Sequence, residues 1–411
     1  MFSKTILYGL VGIIVSAFGP GAFGKTADYV YVETNLKPAN SIRAFARAAN
    51  GQLDEIAGSP FLTGGSGSGY NGVAIGPDDS DQEIITNYDH SLLFAVNAGS
   101  DSISVFRIAG NGSLAPVAGS PFPSGGNDPV SLDIVGNILY VANKSGDPNR
   151  PTTILPNYTT RIIGWDGSLQ PANDKTNDTS RTYNSTISVA TGSSVNQVHA
   201  VPGSNIVFGN DFLADLIEHF RSDNIGGLHQ LQPLALPTSL FNDTVTPRIP
   251  QGIWTHPTLP YLYVGVPLFN KLAVYSFDLD GNLHYIRAVP NQGGAICWLR
   301  TNQWGTRLYS SDTLTNSVGV YDTTDPENPV EIQEFQLSGV GNSYQISLST
   351  DGKSLYALSP RAAPTVPEGE GNVLHTLNIG DDGKLTETLP TIPFTSSTNV
   401  RPRGIAVVSV R

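Results

Sequence analysis

The sequence is poor in cysteine, in charge and in long apolar runs. Cys297 is the only cysteine among 411 residues, so no intrachain disulfide forms. The fold must rest on burial alone, which a chain this long can supply. Charged residues make up 14%, and 23 basic side chains face 35 acidic ones, a formal net charge of −12. The basic residues are scattered singly. Nucleic-acid binding needs a basic footprint that displaces phosphate counterions, so nucleic acid is excluded as a partner. After the first twenty residues no apolar stretch is long enough to span a bilayer. Helix formers are not dominant, whereas glycine (43) and proline (29) are abundant. That balance argues against long helices and for turn-rich β structure.

The N-terminus predicts a secretory signal peptide over residues 1–24. Lys4 is the positive group, residues 6–18 are a short apolar core, and Ala22 and Gly24 satisfy the small-residue cleavage rule. Residues 25–411 are then one secreted domain. Six Asn-x-Ser/Thr sequons follow, at Asn111, Asn143, Asn157, Asn177, Asn184 and Asn242. Behind a signal peptide they predict surface glycans.

One pattern recurs along the chain. A short apolar strand is followed by a strand of the type aromatic-x-aromatic-Val. A third strand rich in Val, Ile and Phe comes next, and a Gly-x-Leu turn opens a weak fourth. Residues 72–76, 92–96, 103–108 and 112–114 form one such unit; 252–256, 261–264, 272–277 and 281–283 form another; 346–349, 355–358, 373–379 and 383–385 form a third. The alternation has period two, and four short strands in about 45–55 residues is the spacing of a propeller blade. Six complete units fit between Gly72 and Pro393. Residues 29–33, 41–46 and 53–56 supply strands two to four of a seventh, and 404–410 supply its missing first strand. The predicted fold is all-β, a seven-bladed β-propeller closed by its C-terminal strand, which leaves no open sheet edge.

The long connections at 146–156, 174–196, 236–250 and 362–371 all join strands on the face where first strands begin. An elaborated face is the expected binding face. First strands aligned on their closing turn place Asn71, Pro129, Asn196, Gln251, Ala295, Tyr344 and Arg403 in one axial ring. Gln197, His199, Trp254, Trp298 and Gln345 lie beside it, and second-strand ends add Asp211, Phe212, Phe269, Asp312 and Arg361. This lining is rich in amides and aromatics, with few paired carboxylates. Cys297 is read as a buried, inert thiol. The histidines show no ligand spacing, so neither metal nor cofactor is expected, although a structural calcium in the axial tunnel stays an open alternative.

The segments Tyr-Val-Tyr-Val-Glu-Thr-Asn at 29–35, Phe-Ala-Val-Asn at 94–97 and Tyr-Val-Ala-Asn at 140–143 resemble the blade motif of lactonase-type seven-bladed propellers, which include 6-phosphogluconolactonase-like proteins and fungal carboxymuconate cyclases. The resemblance spans the mature chain. The family's catalytic His falls at Asn196, with His199 three residues on. Its Arg falls at Gln251 and its Glu at Pro267, and only its Asp is kept, at Asp211. For a chain lacking those groups, the resemblance to recruited fungal relatives implies a cyclase of secondary metabolism. It would join a quinone-methide-like diene to an apolar terpene-like partner by a hetero-Diels–Alder reaction. Gln251, Tyr344 and Arg403 would then be the catalytic donors, with the other lining residues binding substrate. A non-catalytic binding propeller and a lactonase or carboxymuconate cyclase are the alternatives.

Overall fold

The computed structural model describes residues 27–68, 79–172, 183–237, 248–360, 372–394 and 401–410. Seven antiparallel sheets of four or five strands follow one another around an axis. Blade 1 is assembled from both ends of the chain. Its first strand, Arg403–Val410, pairs with Ala27–Glu33 from Ala27↔Val410 to Glu33↔Arg403, and Ser41–Arg47 and Leu53–Glu55 complete the sheet. The expected ring closure is therefore present.

The repeat has a physical explanation. Second strands are sandwiched between the blades on either side, so both of their faces are apolar; Leu92–Asn97, Ile138–Asn143 and Ser354–Ser359 are buried at every position. The Gly-x-Leu turn places its glycine at positive φ, as at Gly112, Gly167, Gly281 and Gly383, where a side chain would be strained. The leucine two residues on is then turned inward, and Leu114, Leu169 and Leu385 are buried between blades.

The first strand of blade 2 differs from expectation. The strand that pairs with Leu92–Asn97 is Ile84–Thr86, not 72–76, and the latter segment lies outside the described residues. The long connection ahead of blade 4 is also partly sheet: Thr186–Ser188 pairs with the third strand of blade 3. Among the described residues no helix is long and apolar enough to cross a membrane.

Two of the sequons are buried. The Asn143 amide donates to Asn157 Oδ1 at 3.0 Å and to Thr159 Oγ1 at 3.1 Å, inside blade 3. Both asparagines are enclosed, which corrects the surface assignment for this pair. Asn111 is exposed and Asn184 half-buried, while Asn177 and Asn242 lie outside the described residues.

Candidate functional site

The axial column is built where the seven first strands begin, and bulges set its register. Pro129, Val195, Ile296 and Arg403 face the last residues of their partner strands, namely Asn143, Asp211, Asp312 and Glu33. A bulge follows this pair in blades 1, 3, 4 and 6. Counting back from the turn put Asn196 one residue after Val195 and Ala295 one residue before Ile296, out of step with Pro129 and Arg403. Asn71 and Arg361 lie outside the described residues.

The feature that the sequence reading missed is the segment leading into blade 2. Asp79, Ser80, Asp81, Gln82 and Glu83 are all buried and line the axis. Tyr344 donates its hydroxyl to Asp79 Oδ1 at 2.5 Å, and Gln345 donates to Ser80 O at 2.9 Å and to Glu83 Oε1 at 2.8 Å. Gln197 donates to Gln82 Oε1 at 2.8 Å. Lys144 reaches both Asp79 O and Asn196 Oδ1 at 3.1 Å. Arg401 lies 3.8 Å from Asp79 and stacks on the Tyr344 ring at 4.8 Å. The lining expected to be rich in amides and aromatics, with few paired carboxylates, thus also holds a set of carboxylates interleaved with cations. Its signal was visible as four acids in six residues, Asp78 to Glu83.

Burial dominates the titration of these acids. It raises Glu33 well above the usual carboxylate range, with Asn40 and Arg403 opposing. It raises Asp79 against the pull of Arg401 and Lys144. Glu83 is pushed up to about 7 by burial and by neighbouring Asp81, against Arg403 and Ser80. A carboxyl that titrates near neutrality in a closed polar site is suited to general acid–base work.

Several buried atoms on the same column make no hydrogen bond among the described residues. Among them are the donors Asn196 Nδ2, Gln251 Nε2 and Trp298 Nε1 and the acceptors Glu33 Oε2, Glu83 Oε2 and Gln345 Oε1. Each such atom costs about 1–3 kcal/mol unless something polar meets it.

The other end of the column carries a different constellation. Register places Asp133, His199, Trp254 and Arg300 at one level on consecutive blades. His199 Nδ1 lies 3.1 Å from Asp133 Oδ2, close enough to pair but not aligned as a hydrogen bond, and Nε2 meets Thr255 Oγ1 at 2.9 Å. The His199 ring stacks on Trp254 at 4.5 Å, and Arg300 lies 4.2 Å over the Trp254 ring. Arg300 in turn holds Asp81 at 2.5 and 2.9 Å, joining this level to the acidic segment.

The remaining expected residues are spread more widely. Tyr344 and Arg403 share one electrostatic neighbourhood; Gln251 stands on blade 5, its carbonyl accepting from the Asn210 amide. Tyr344 spends its proton on Asp79, so it is not a spare donor. Asp211, the one position matching the family pattern, accepts backbone N–H bonds from Ser194 at 2.8 Å and Ala214 at 3.1 Å, a turn-forming role. Phe212 is half-buried, 5.9 Å from Lys144 Nζ, and Phe269 ends a single 3₁₀ turn and packs on the core beneath it. Trp298 is fully buried, edge-on to Tyr344 at 6.0 Å. Asp312 is buried and raised well above its usual value, by burial and then by Glu334. Burial pushes the Cys297 thiol up to about 12, and Thr313 donates to its sulfur at 3.0 Å. No three His, Cys, Asp or Glu side chains among the described residues are arranged to hold a metal ion.

No protein-family profile and no curated protein matches the chain in sequence. Solved structures do match in shape. A protein of Bacteroides fragilis, provisionally described as a 6-phosphogluconolactonase, is 18% identical with a TM-score of 0.66, covering 95% of this chain and 100% of its own. The periplasmic gluconolactonase of Pseudomonas aeruginosa is 15% identical with a TM-score of 0.66, covering 94% and 100%. A protein of Lactobacillus plantarum is 13% identical with a TM-score of 0.68, covering 93% and 100%. These likenesses establish the fold: the chain is a seven-bladed β-propeller whose structural neighbours include the lactonase-like propellers.

Proposed function

We propose that this chain is a lactonase-type enzyme that opens a small, hydroxyl-rich ring ester on the propeller axis. The observation that carries the reading is Glu83, buried and held up to about 7, together with the buried axial donors and acceptors that have no hydrogen-bond partner among the described residues. Mixed donors and acceptors match a polyhydroxylated ligand. They give little to an apolar diene and terpene, so ring opening is preferred here to cycloaddition. The gluconolactonase names of the structural neighbours point to the same substrate class.

Ring opening adds water across an ester. Glu83, ionised, takes a proton from the attacking water as its oxygen bonds to the carbonyl carbon. Arg401, 3.8 Å from Asp79, and Arg403, which opposes the rise of Glu83, would stabilise the oxyanion. When the ring C–O bond breaks, Glu83 returns the proton to the leaving oxygen, and the product is a hydroxy acid.

The test is acid release from glucono-lactone and related sugar lactones, followed by pH-stat with spontaneous hydrolysis subtracted. Glu83→Gln should lower kcat by about 100-fold or more, the usual worth of a general base. Wild-type turnover no faster than background across the panel would end the lactonase reading. Full activity in folded Glu83→Gln would end the role of Glu83.

A further inference from the structure

A cavity away from the axis lies between blades 3 and 4. It measures about 450 Å³, is open to solvent on one side, and lies between the loop after Thr186–Ser188 and the third and fourth strands of blade 4. Val189, Leu216, Leu231 and Pro233 form its apolar side, and Ser188, Ser193, Gln230 and Gln232 add polar groups. One acid lines it: Glu218, on the third strand of blade 4, is 2% exposed. The Gln230 amide donates to Glu218 Oε2 at 2.9 Å. No cation pairs with this carboxyl among the described residues. The titratable groups that face it are Asp211, on the neighbouring second strand, and Tyr158, on the third strand of blade 3; the fourth strand presents the neutral Gln230.

An apolar cavity of this size with a few convergent polar groups has the form of a small-molecule site. A buried carboxyl with acidic and phenolic neighbours but no cation is costly as an anion, and a cation supplied from outside relieves that cost. We propose that this cavity binds a small primary amine with an apolar body, its ammonium on Glu218 and its hydrocarbon against Leu216, Leu231 and Pro233.

The pH dependence follows from the same groups. Burial first, and then Asp211, hold Glu218 up to about 7, with Gln230 opposing. An alkylammonium ion stays charged well above that pH. Its affinity must therefore rise as pH passes through 7 and the carboxyl ionises, and binding below 7 must release a proton. A neutral ligand of the same shape lacks both properties.

Isothermal titration of the full chain with phenethylamine and with 2-phenylethanol, at pH 6 and pH 8, tests the proposal. The amine should bind about tenfold more tightly at pH 8 than at pH 6, and at pH 8 at least tenfold more tightly than the alcohol. Glu218→Gln should remove the pH dependence and at least tenfold of the amine affinity. Ala214→Trp, on the exposed rim, should block the cavity without touching Glu218 and leave the melting temperature and lactone hydrolysis unchanged. The proposal is overturned if neither compound binds, if the two bind alike at pH 8, or if Glu218→Gln holds the amine as wild type does. None of these outcomes bears on Glu83, so this site and the axial one stand or fall separately.

Discussion

Arg300, on blade 6, grips Asp81 with two contacts of 2.5 and 2.9 Å, although 219 positions separate them in the chain. Asp81 is fully buried and Arg300 nearly so. The pair ties the acidic segment to the far side of the ring. Removing one partner strands the other charge in a dry site, which costs about 3–5 kcal/mol. Arg300→Met and Asp81→Asn should each show a loss of that order in urea denaturation, and the double variant should recover a large part of it. Additive losses would mean that the two charges do not depend on one another.

Ring closure gives a second expectation. Arg403–Val410 is the only partner on its side of Ala27–Glu33, and Val408 and Ala406 pack into the cluster shared by blades 1 and 2. Deleting residues 403–410 exposes a strand edge and opens that cluster. The truncated chain should lose cooperative thermal unfolding. A sharp transition at the wild-type temperature would show that the remaining contacts suffice to close the ring.

The fold was legible because its repeat is enforced by the same two constraints, a second strand buried on both faces and, in every blade but the sixth, a Gly-x-Leu turn. Where those constraints weakened, the reading failed. Residues 72–76 look more strand-like than Glu-Ile-Ile-Thr at 83–86, yet the latter carries the inner strand of blade 2, because only three residues are needed there. The candidate site was less legible for a different reason. Its polar groups pair across the ring, Asp79 with Tyr344 and Asp81 with Arg300, and no spacing in the sequence encodes such contacts. Counting back from turn prolines also ignored the bulges after Pro129, Val195 and Ile296.

The sequons now divide into two groups. Asn111 is exposed in a turn and open to a glycan. Asn143 and Asn157 use their amide groups on each other inside blade 3, where a glycan has no room. In a eukaryotic secretory host, Asn111→Gln should remove one glycosidase-sensitive mass step, whereas Asn143→Gln and Asn157→Gln should remove none. A mass step lost at either buried position would place blade 3 differently.

Stability should be greatest in mild acid and fall toward alkaline pH. Glu33, Asp79, Glu83 and Asp312 all have raised values, with burial the leading cause in each. Unfolded, these groups titrate near 4, so the unfolded chain gives up their protons first. Their contribution is fully present below about pH 4 and drains away as pH rises through their folded values. For Glu83, which moves from 4.5 to about 7, the loss is on the order of 3 kcal/mol by pH 8. The opposite case is Asp351, lowered to about 2 despite burial by Ser349, Arg47 and the Lys353 backbone; its contribution is lost as pH falls from about 4 to 2. The two trends cross at about pH 4–5, and the buried group is the larger. The urea midpoint should therefore peak at about pH 5 and decline by pH 8, and Glu83→Gln should flatten part of that decline because an amide has no proton to lose. A midpoint that climbs between pH 5 and 8 would mean that the axial carboxylates are ionised in the fold and stabilised by Lys144, Arg401 and Arg403. Glu83 would then lack the near-neutral titration on which its acid–base role depends.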